Sequence, residues 1–471
     1  MAIGQTGVSN LNAGSTSADA SGTNTPVYSS VTGNGSWNGT DTYTPTDGST
    51  PASTVSTGMW ISIYPHANTI TPYVVQVLSV AAGVNGAITC STTNKFGTAP
   101  TSGSTLDCRV GGSWSDFGLV ASGGCLNTGT ITQSTRINIK AGTYANTSTS
   151  RTIALTGTAL LPLWWRGYKT TPGDEDSNNL AVAGTDIPSI TFTSGQLTLQ
   201  GGYQTISSID VTGAVSGAVV NISAAGAVNN EFYRVRIRNT SSNAGATTIV
   251  PSGSSQHFQA QACYFSVPTT GASVINMGSS NVYLVGCILS GGIIGLKVSG
   301  TNSTVLDCIF LAPAGDAIQL TAGLIVVDNC AFWSPGGNGI NFTATPNMSI
   351  VSNCYFSTVS TAAKAAIMNS SGANIGTVRC VANAYFNCTA NTSGLGDTPL
   401  IFDNGTIGGE AFNNPPTDLS IVSTYDSLGF PGKNSGFETI SAYTGYLSFG
   451  AVQPAPGGGG KLAGFGGGHA G

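Results

Sequence analysis

Bulky apolar residues recur through the middle of the chain in one repeated phrase. YLVGCILSGG (283–292), TVLDCIFLAP (304–313), LIVVDNCAFWSPGG (324–337) and SIVSNCYFST (349–358) each carry it. In every copy a cysteine follows an aliphatic residue by three positions: Leu284, Val305, Val327 or Val351. It precedes a larger apolar residue by two: Leu289, Phe310, Phe332 or Phe356. A spacing of two keeps both side chains on one face of a strand, whereas a spacing of three does not. The chain must therefore bend between the aliphatic residue and the cysteine. The bend falls on Asp307, Asn329 or Asn353, side chains that tolerate tight turns and bond nearby backbone.

The phrase has a short period. Cys263, Cys287, Cys308, Cys330, Cys354 and Cys380 stand 24, 21, 22, 24 and 26 residues apart. Solenoid rungs made of short strands have about this length, and most helical repeats are longer. Upstream, FYRVRI sets Val235 and Ile237, and SSIDV sets Ile209 and Val211, where Cys263 and Phe265 fall a rung later. The predicted fold is all-β, a right-handed parallel β-helix (solenoid) of on the order of nine or ten rungs between residues 185 and 400. Stacking would line Asn329 and Asn353 into a polar ladder, and the six cysteines into an internal column of small hydrophobic side chains. Disulfides between rungs are the sharper alternative, but stacked side chains point in parallel rather than at one another.

Composition favours strands and turns. Only 7% of the 471 residues are charged, 65 are Gly, and the apolar fraction is 40%. Net charge is −5, and the first 94 residues contain no Lys or Arg. Without a basic patch, nucleic acid is not an expected partner. The one basic cluster, Arg234, Arg236 and Arg238, is expected on a solvated sheet face. No run reaches membrane-span length, so no membrane partner is expected. The start MAIGQTGVSN has neither a basic leader nor an apolar stretch. Assembly in a bacterial cytoplasm, with the ten cysteines reduced, is the expectation.

The flanks differ from the repeat. Residues 1–57 form an extended polar arm, too poor in apolar residues to order alone and expected to lie along a partner or sister subunit. Residues 58–118 are expected as a small β module containing MWISIY, YVVQVLSV and AITCSTT. The β-helix with its N-terminal cap takes 119–410, and Trp164 and Trp165 are expected to cover the open end of its core. A closing segment at 411–453 and a Gly-rich tail at 454–471 follow.

These pieces resemble the right-handed parallel β-helix, pectate-lyase-like virion proteins of tailed bacteriophages. The residues that carry the resemblance are AGTY around Tyr144, the Asn-Cys-aromatic rungs and YLSFGAVQ at 446–453. That ending is similar to the Asp-Ile-Gly-Ala close common in such proteins, with Ser448 and Phe449 in place of the Asp-Ile pair. GTAPTSG through GGSW also looks like a module carried near the N-terminus of phage β-helix proteins. The resemblance implies a virion component, a homotrimer attached to capsid or tail subunits as a spike, fibre or capsid decoration. Outward Ile288, Ile309 and Ala331 would suit a contact between such subunits.

Enzymes on this scaffold cut polysaccharides, with paired carboxylates or with a base beside a stabilising cation. The catalytic candidates are Asp307 and Asp328, on neighbouring rungs, whose plainer reading is as ladder or turn residues. Asp174, Glu175 and Asp176 in TTPGDEDSNN are the metal candidates, with a solvated turn as the plainer reading. Three histidines and no paired-cysteine motif give no reason to expect a metal or cofactor. His66 and His257 lie in unrelated polar contexts, so no Ser-His-Asp constellation is expected. Phe465 and His469 could contact a receptor, though a packing tail is the plainer reading. The sequence reads as a structural, non-enzymatic component of a phage particle. The alternative is a tail spike that binds or degrades host surface polysaccharide.

Overall fold

The computed structural model describes residues 10–13, 28–110, 136–169 and 183–421, less short stretches within the last three spans. Each copy of the repeated phrase forms one rung of a right-handed β-helix, the hand that parallel crossovers take. In one rung, strand Leu324–Asp328 points Ile325 and Val327 inward, Asn329 turns the chain, and strand Ala331–Trp333 points Phe332 inward. Strand Ile340–Phe342 completes the turn. Successive rungs pair in parallel, giving a first face of twelve strands, a second of eleven and a third of ten. Nine first-face strands fall between Gln204 and Phe402, within the expected count. Strand Asn10–Ala13 pairs with Arg136–Lys140 and begins the first face.

The bend is a stack of left-handed residues. Ser208, Arg234, Ala262, Gly286, Asp307, Asn329, Asn353 and Ala382 hold φ between 51° and 59°. Only one of these is glycine, so most rungs accept a strained conformation at this position. What offsets it is a ladder of amides. Asp307 N–H donates to Asp328 O, and Asn329 N–H to Ser352 O, each at 3.1 Å.

The cysteine after the bend does more than fill space. Its sulfur accepts the N–H of the equivalent residue one rung earlier: Val235 on Cys263, Cys287 on Cys308 and Cys308 on Cys330, all at 3.4 Å. The thiol in turn donates to a carbonyl, as Cys308 Sγ does to Leu306 O at 3.1 Å and Cys330 Sγ to Asp328 O at 3.2 Å. All nine cysteines among the described residues are free. Cys380 is not a member of this column. It pairs with Val351, in the aliphatic position of the first face, and Asn383 stands where a cysteine is expected. Asn383 makes the same bonds, accepting Cys354 N–H at 2.9 Å and donating to Val351 O at 3.0 Å.

Two residues on, the aromatic rings stack. Phe310, Phe332, Phe356 and Tyr385 have centroids 4.9, 4.5 and 5.5 Å apart, with planes within 13° of parallel. Gly339 makes room for them, because a Cβ there would lie 2.6 Å from Phe356 Cδ1.

Three further expectations change. Trp164 and Trp165 are no lid: both lie in strand Leu163–Tyr168, Trp165 in the core and Trp164 on the outer side of the first face. The arginines do not form one solvated face: Arg236 is buried, and Arg234 and Arg238 are half-buried. Arg234 sits at a bend, while Arg236 and Arg238 fold onto buried Asp210, which Arg238 Nη2 reaches at 3.0 Å. Ser189 and Thr212 hydroxyls also donate to that carboxylate, at 2.8 and 3.2 Å. Last, the β module starts before residue 58. Tyr28–Trp37 and Thr42–Thr44 are strands of a closed six-stranded barrel that runs to Val110. Trp37 and Tyr43 are its core, shared with Ile61, Val75, Val77 and Cys108.

Candidate functional site

Among the described residues the first face has the most strands of the three, twelve, and alternation along them decides what it shows. With Ile206, Phe232, Phe258 and Leu284 inward, the intervening residues point out. Register places Trp164, Thr205, Glu231, Gln259 and Tyr283 in one outward column. Beside it run Ser207, Tyr233 and Gln261. Neighbours in each column are about 4.8 Å apart, the spacing of paired strands. Tyr283 is 45% exposed, and Glu231, His257 and Gln261 are exposed as well.

Several of these side chains are held in place. Trp164 Nε1 donates to Ser207 Oγ at 3.0 Å, and Thr205 Oγ1 donates to Glu231 Oε2 at 3.4 Å. The Arg234 guanidinium stands 5.0 Å from the centre of the Tyr233 ring. Further along the shaft the surface becomes aliphatic. Val285, Leu306, Val326 and Ile350 are half-buried there, with Arg379 beyond them. The first face is therefore half aromatic, amide and carboxylate, and half aliphatic.

The acidic candidates lie at the far edge of this face. Asp307 is at the bend and its Oδ1 accepts Asn329 Nδ2 at 2.6 Å. Asp328 ends its strand, and its Oδ1 accepts Ser352 Oγ at 2.6 Å and Asn353 Nδ2 at 2.9 Å. Burial raises the Asp307 carboxyl above its ordinary range, the Asn329 amide opposes this, and the charge of Asp328 adds to it. The two acids occupy successive rungs, and each is tied to an amide of the following one. The third rung acid, Asp316, is bound by Asn338 N and Nδ2, both at 2.8 Å, and by Asn341 Nδ2 at 2.7 Å.

The barrel holds a pair that sequence spacing does not reveal. His66 Nδ1 lies 2.9 Å from Asp107 Oδ2, and Asp107 Oδ1 accepts Gly33 N–H at 2.7 Å. Gly33, at φ 73°, lets the imidazole pack on bare backbone, since a Cβ would meet His66 Cγ at 2.8 Å. So His66 is not in an unrelated context: its ring shares a hydrogen bond with a buried carboxylate 41 residues away. Burial pushes the barrel thiols Cys90 and Cys108 up to about 12.

Asp174, Glu175, Asp176, Phe465, His469 and residues 422–453 of the closing segment lie outside the described residues, while the start of that segment forms the antiparallel strands Phe412–Asn414 and Asp418–Ile421. Among the described residues, no three His, Cys, Asp or Glu side chains cluster to hold a metal. No described helix is long and apolar enough to cross a membrane.

No family model matches the chain, and no curated protein matches it. Among solved structures, the PL6-family alginate lyase AlyGC is 13% identical with a TM-score of 0.40, over 56% of this chain and 38% of that one. A mannuronic acid-specific family 6 lyase from human gut microbiota is 12% identical with a TM-score of 0.42, over 57% and 62%. A tailspike protein of E. coli bacteriophage HK620 is 15% identical with a TM-score of 0.36, over 59% and 55%. The chain thus spans between 38% and 62% of the length of these proteins, and the likeness is one of β-helix fold.

Proposed function

We propose that the chain is a spike-type β-helix protein of a phage particle that binds host surface polysaccharide on the N-terminal half of its first face. The observation that carries this reading is the outward column Trp164, Thr205, Glu231, Gln259 and Tyr283, with Tyr233 and Gln261 beside it. Aromatic faces pack on the C–H faces of sugar rings, and amides with a carboxylate pair with hydroxyls. Rigid strands hold these groups in place before any ligand arrives, which lowers the ordering cost of binding. The reading is of binding rather than cleavage, since Asp307 and Asp328 are engaged by side-chain amides. The aliphatic half, Val285, Leu306, Val326 and Ile350, favours a homotrimer contact on the same face.

The test is binding to an array of bacterial capsular and lipopolysaccharide glycans. Loss of a stacking aromatic costs about 0.5–1.5 kcal/mol, so Tyr283→Ala should weaken a bound glycan by roughly two- to tenfold, and Glu231→Gln by a similar factor. Binding that survives both substitutions unchanged excludes this face. A wild-type chain that binds no glycan returns the protein to a purely structural role, to be located by immunogold labelling of particles.

A further inference from the structure

Five sulfurs run in one file through the core of the shaft. Cys263, Cys287, Cys308, Cys330 and Cys354 are buried and free, on five successive rungs. Val235 bounds the file on one side and Asn383 on the other. Every sulfur holds the same place on its own rung, 3.1–3.5 Å from the carbonyl two residues before it. Successive sulfurs therefore repeat at the rung spacing, about 4.8 Å. That gap is more than twice the sulfur–sulfur bond of a disulfide, about 2 Å. It fits one interposed ion, because two thiolate bonds of about 2.3 Å in line span about 4.6 Å. Among the described residues no three ligands converge, so the file offers nothing to a four-coordinate zinc. A soft two-coordinate cation asks for no more than a pair of sulfurs.

We infer that this file is a binding site for soft two-coordinate cations of the copper(I) type, each held between thiolates of adjacent rungs. Each ion displaces two thiol protons to solvent and forms two metal–sulfur bonds, with no electron transferred. The surroundings accept the exchange. Amide N–H groups already point at the sulfurs, as Cys287 N–H does at Cys308 Sγ and Cys308 N–H at Cys330 Sγ, both at 3.4 Å. Such bonds favour a thiolate. The carbonyls that lose an S–H keep a backbone donor: Leu306 O accepts Gly286 N–H at 2.9 Å, and Asp328 O accepts Asp307 N–H at 3.1 Å. Burial pushes the Cys263, Cys308 and Cys330 thiols up, so protons compete with the ion and uptake strengthens as pH rises. A sulfur bonded to ions on both sides would have to hold them in line, against its bent geometry. Five sulfurs thus accommodate two ions, and each ion ties one rung to the next as a staple.

Counting ions in single-substitution variants tests this in the full chain. Reduced protein is loaded with copper(I) without air, desalted and analysed for copper and sulfur. A second batch comes from copper-supplemented cells, so that slow entry into a closed core does not decide the result. Asparagine is the replacement, because Asn383 already makes both bonds of this position. Cys308→Asn leaves the pairs Cys263–Cys287 and Cys330–Cys354 and should bind as many ions as the wild type. Cys263→Asn leaves four sulfurs in file and should match it. Cys287→Asn isolates Cys263, Cys330→Asn isolates Cys354, and each should bind one ion fewer. Each of the two predictions has two variants, so one that fails to fold does not end the test. X-ray absorption should show two sulfurs at about 2.3 Å from copper and no nitrogen or oxygen ligand. Equal losses in all four variants, or no loss in any, would overturn the inference. So would a copper shell of three or more ligands, or folded protein that retains no copper from either batch. Glycan binding at the first face is independent of every outcome.

Discussion

A bend between two strands leaves an amide without a ladder partner, and in this shaft a sulfur accepts it. Cys330 takes the Cys308 N–H at 3.4 Å, a bond that alanine cannot make. An unpartnered buried amide costs about 1–3 kcal/mol, so Cys330→Ala should destabilise by about that much in equilibrium urea unfolding. Cys330→Asn should cost clearly less, because Asn383 already makes both bonds at this position. Equal losses for the two variants would show that the sulfur acts only as volume. Asp307 offers a second residue-scale test. Its folded pKa is raised by burial, so its contribution to stability is present below the unfolded pKa and lost as pH rises through the folded value. At neutral pH the carboxylate is therefore a liability, and Asp307→Asn should stabilise by up to about 0.5 kcal/mol. That gain should vanish below roughly pH 3, where both states are protonated. A gain that persists in acid would point to the left-handed backbone, where Asn also fits well, and not to the charge.

At the scale of the rung, the sequence was legible wherever spacing alone carried the information. The three-then-two pattern located the bend at Asp307, Asn329 and Asn353, and the structure turns at those residues. It failed at Cys380 because cysteine identity, not spacing, was followed there. The residue two after Cys380 is Ala382, whereas Asn383 is followed at the same distance by Tyr385, so the aromatic was the better marker. The barrel strand Tyr28–Trp37 was hidden for another reason. Its sequence YSSVTGNGSW offers Ser, Gly and Thr to either side and anchors only through aromatics at its ends. The first-face site was illegible because it is assembled by register between rungs, and no local motif marks it. Register also makes the ring stack. Phe332 lies between Phe310 and Phe356, at 4.9 and 4.5 Å, and is fully buried. Phe332→Ala removes both contacts and should cost about 3–5 kcal/mol, and Phe332→Leu considerably less. Similar losses for the two would mean the shaft repacks around the gap and the stack is incidental. The expected readout is the urea midpoint at unchanged slope.

The whole molecule has two cores with no residue in common. One runs the length of the shaft from Ile137 to Leu395, and the other closes the barrel from Tyr28 to Val110. A solenoid gains stability from contacts between adjacent rungs, so a lesson about one rung carries to its neighbours and fades beyond them. A closed barrel has no such gradient, because every strand is paired on both sides and the loss of one opens the ring. These architectures predict two thermal transitions, each answering to its own substitutions. Tyr43 is the discriminating residue: it is fully buried, and its hydroxyl donates to Leu106 O at 3.4 Å. Tyr43→Ala should cost the barrel about 3–5 kcal/mol and bring its transition down sharply. The shaft transition, followed by the exposure of Cys308 and Cys330 to a thiol reagent, should not move. Burial keeps both of those thiols protonated in the native shaft, so their labelling reports opening of that core. If Tyr43→Ala instead exposes the shaft thiols at lower temperature, the barrel is a brace on the first rungs and the two cores fold as one unit.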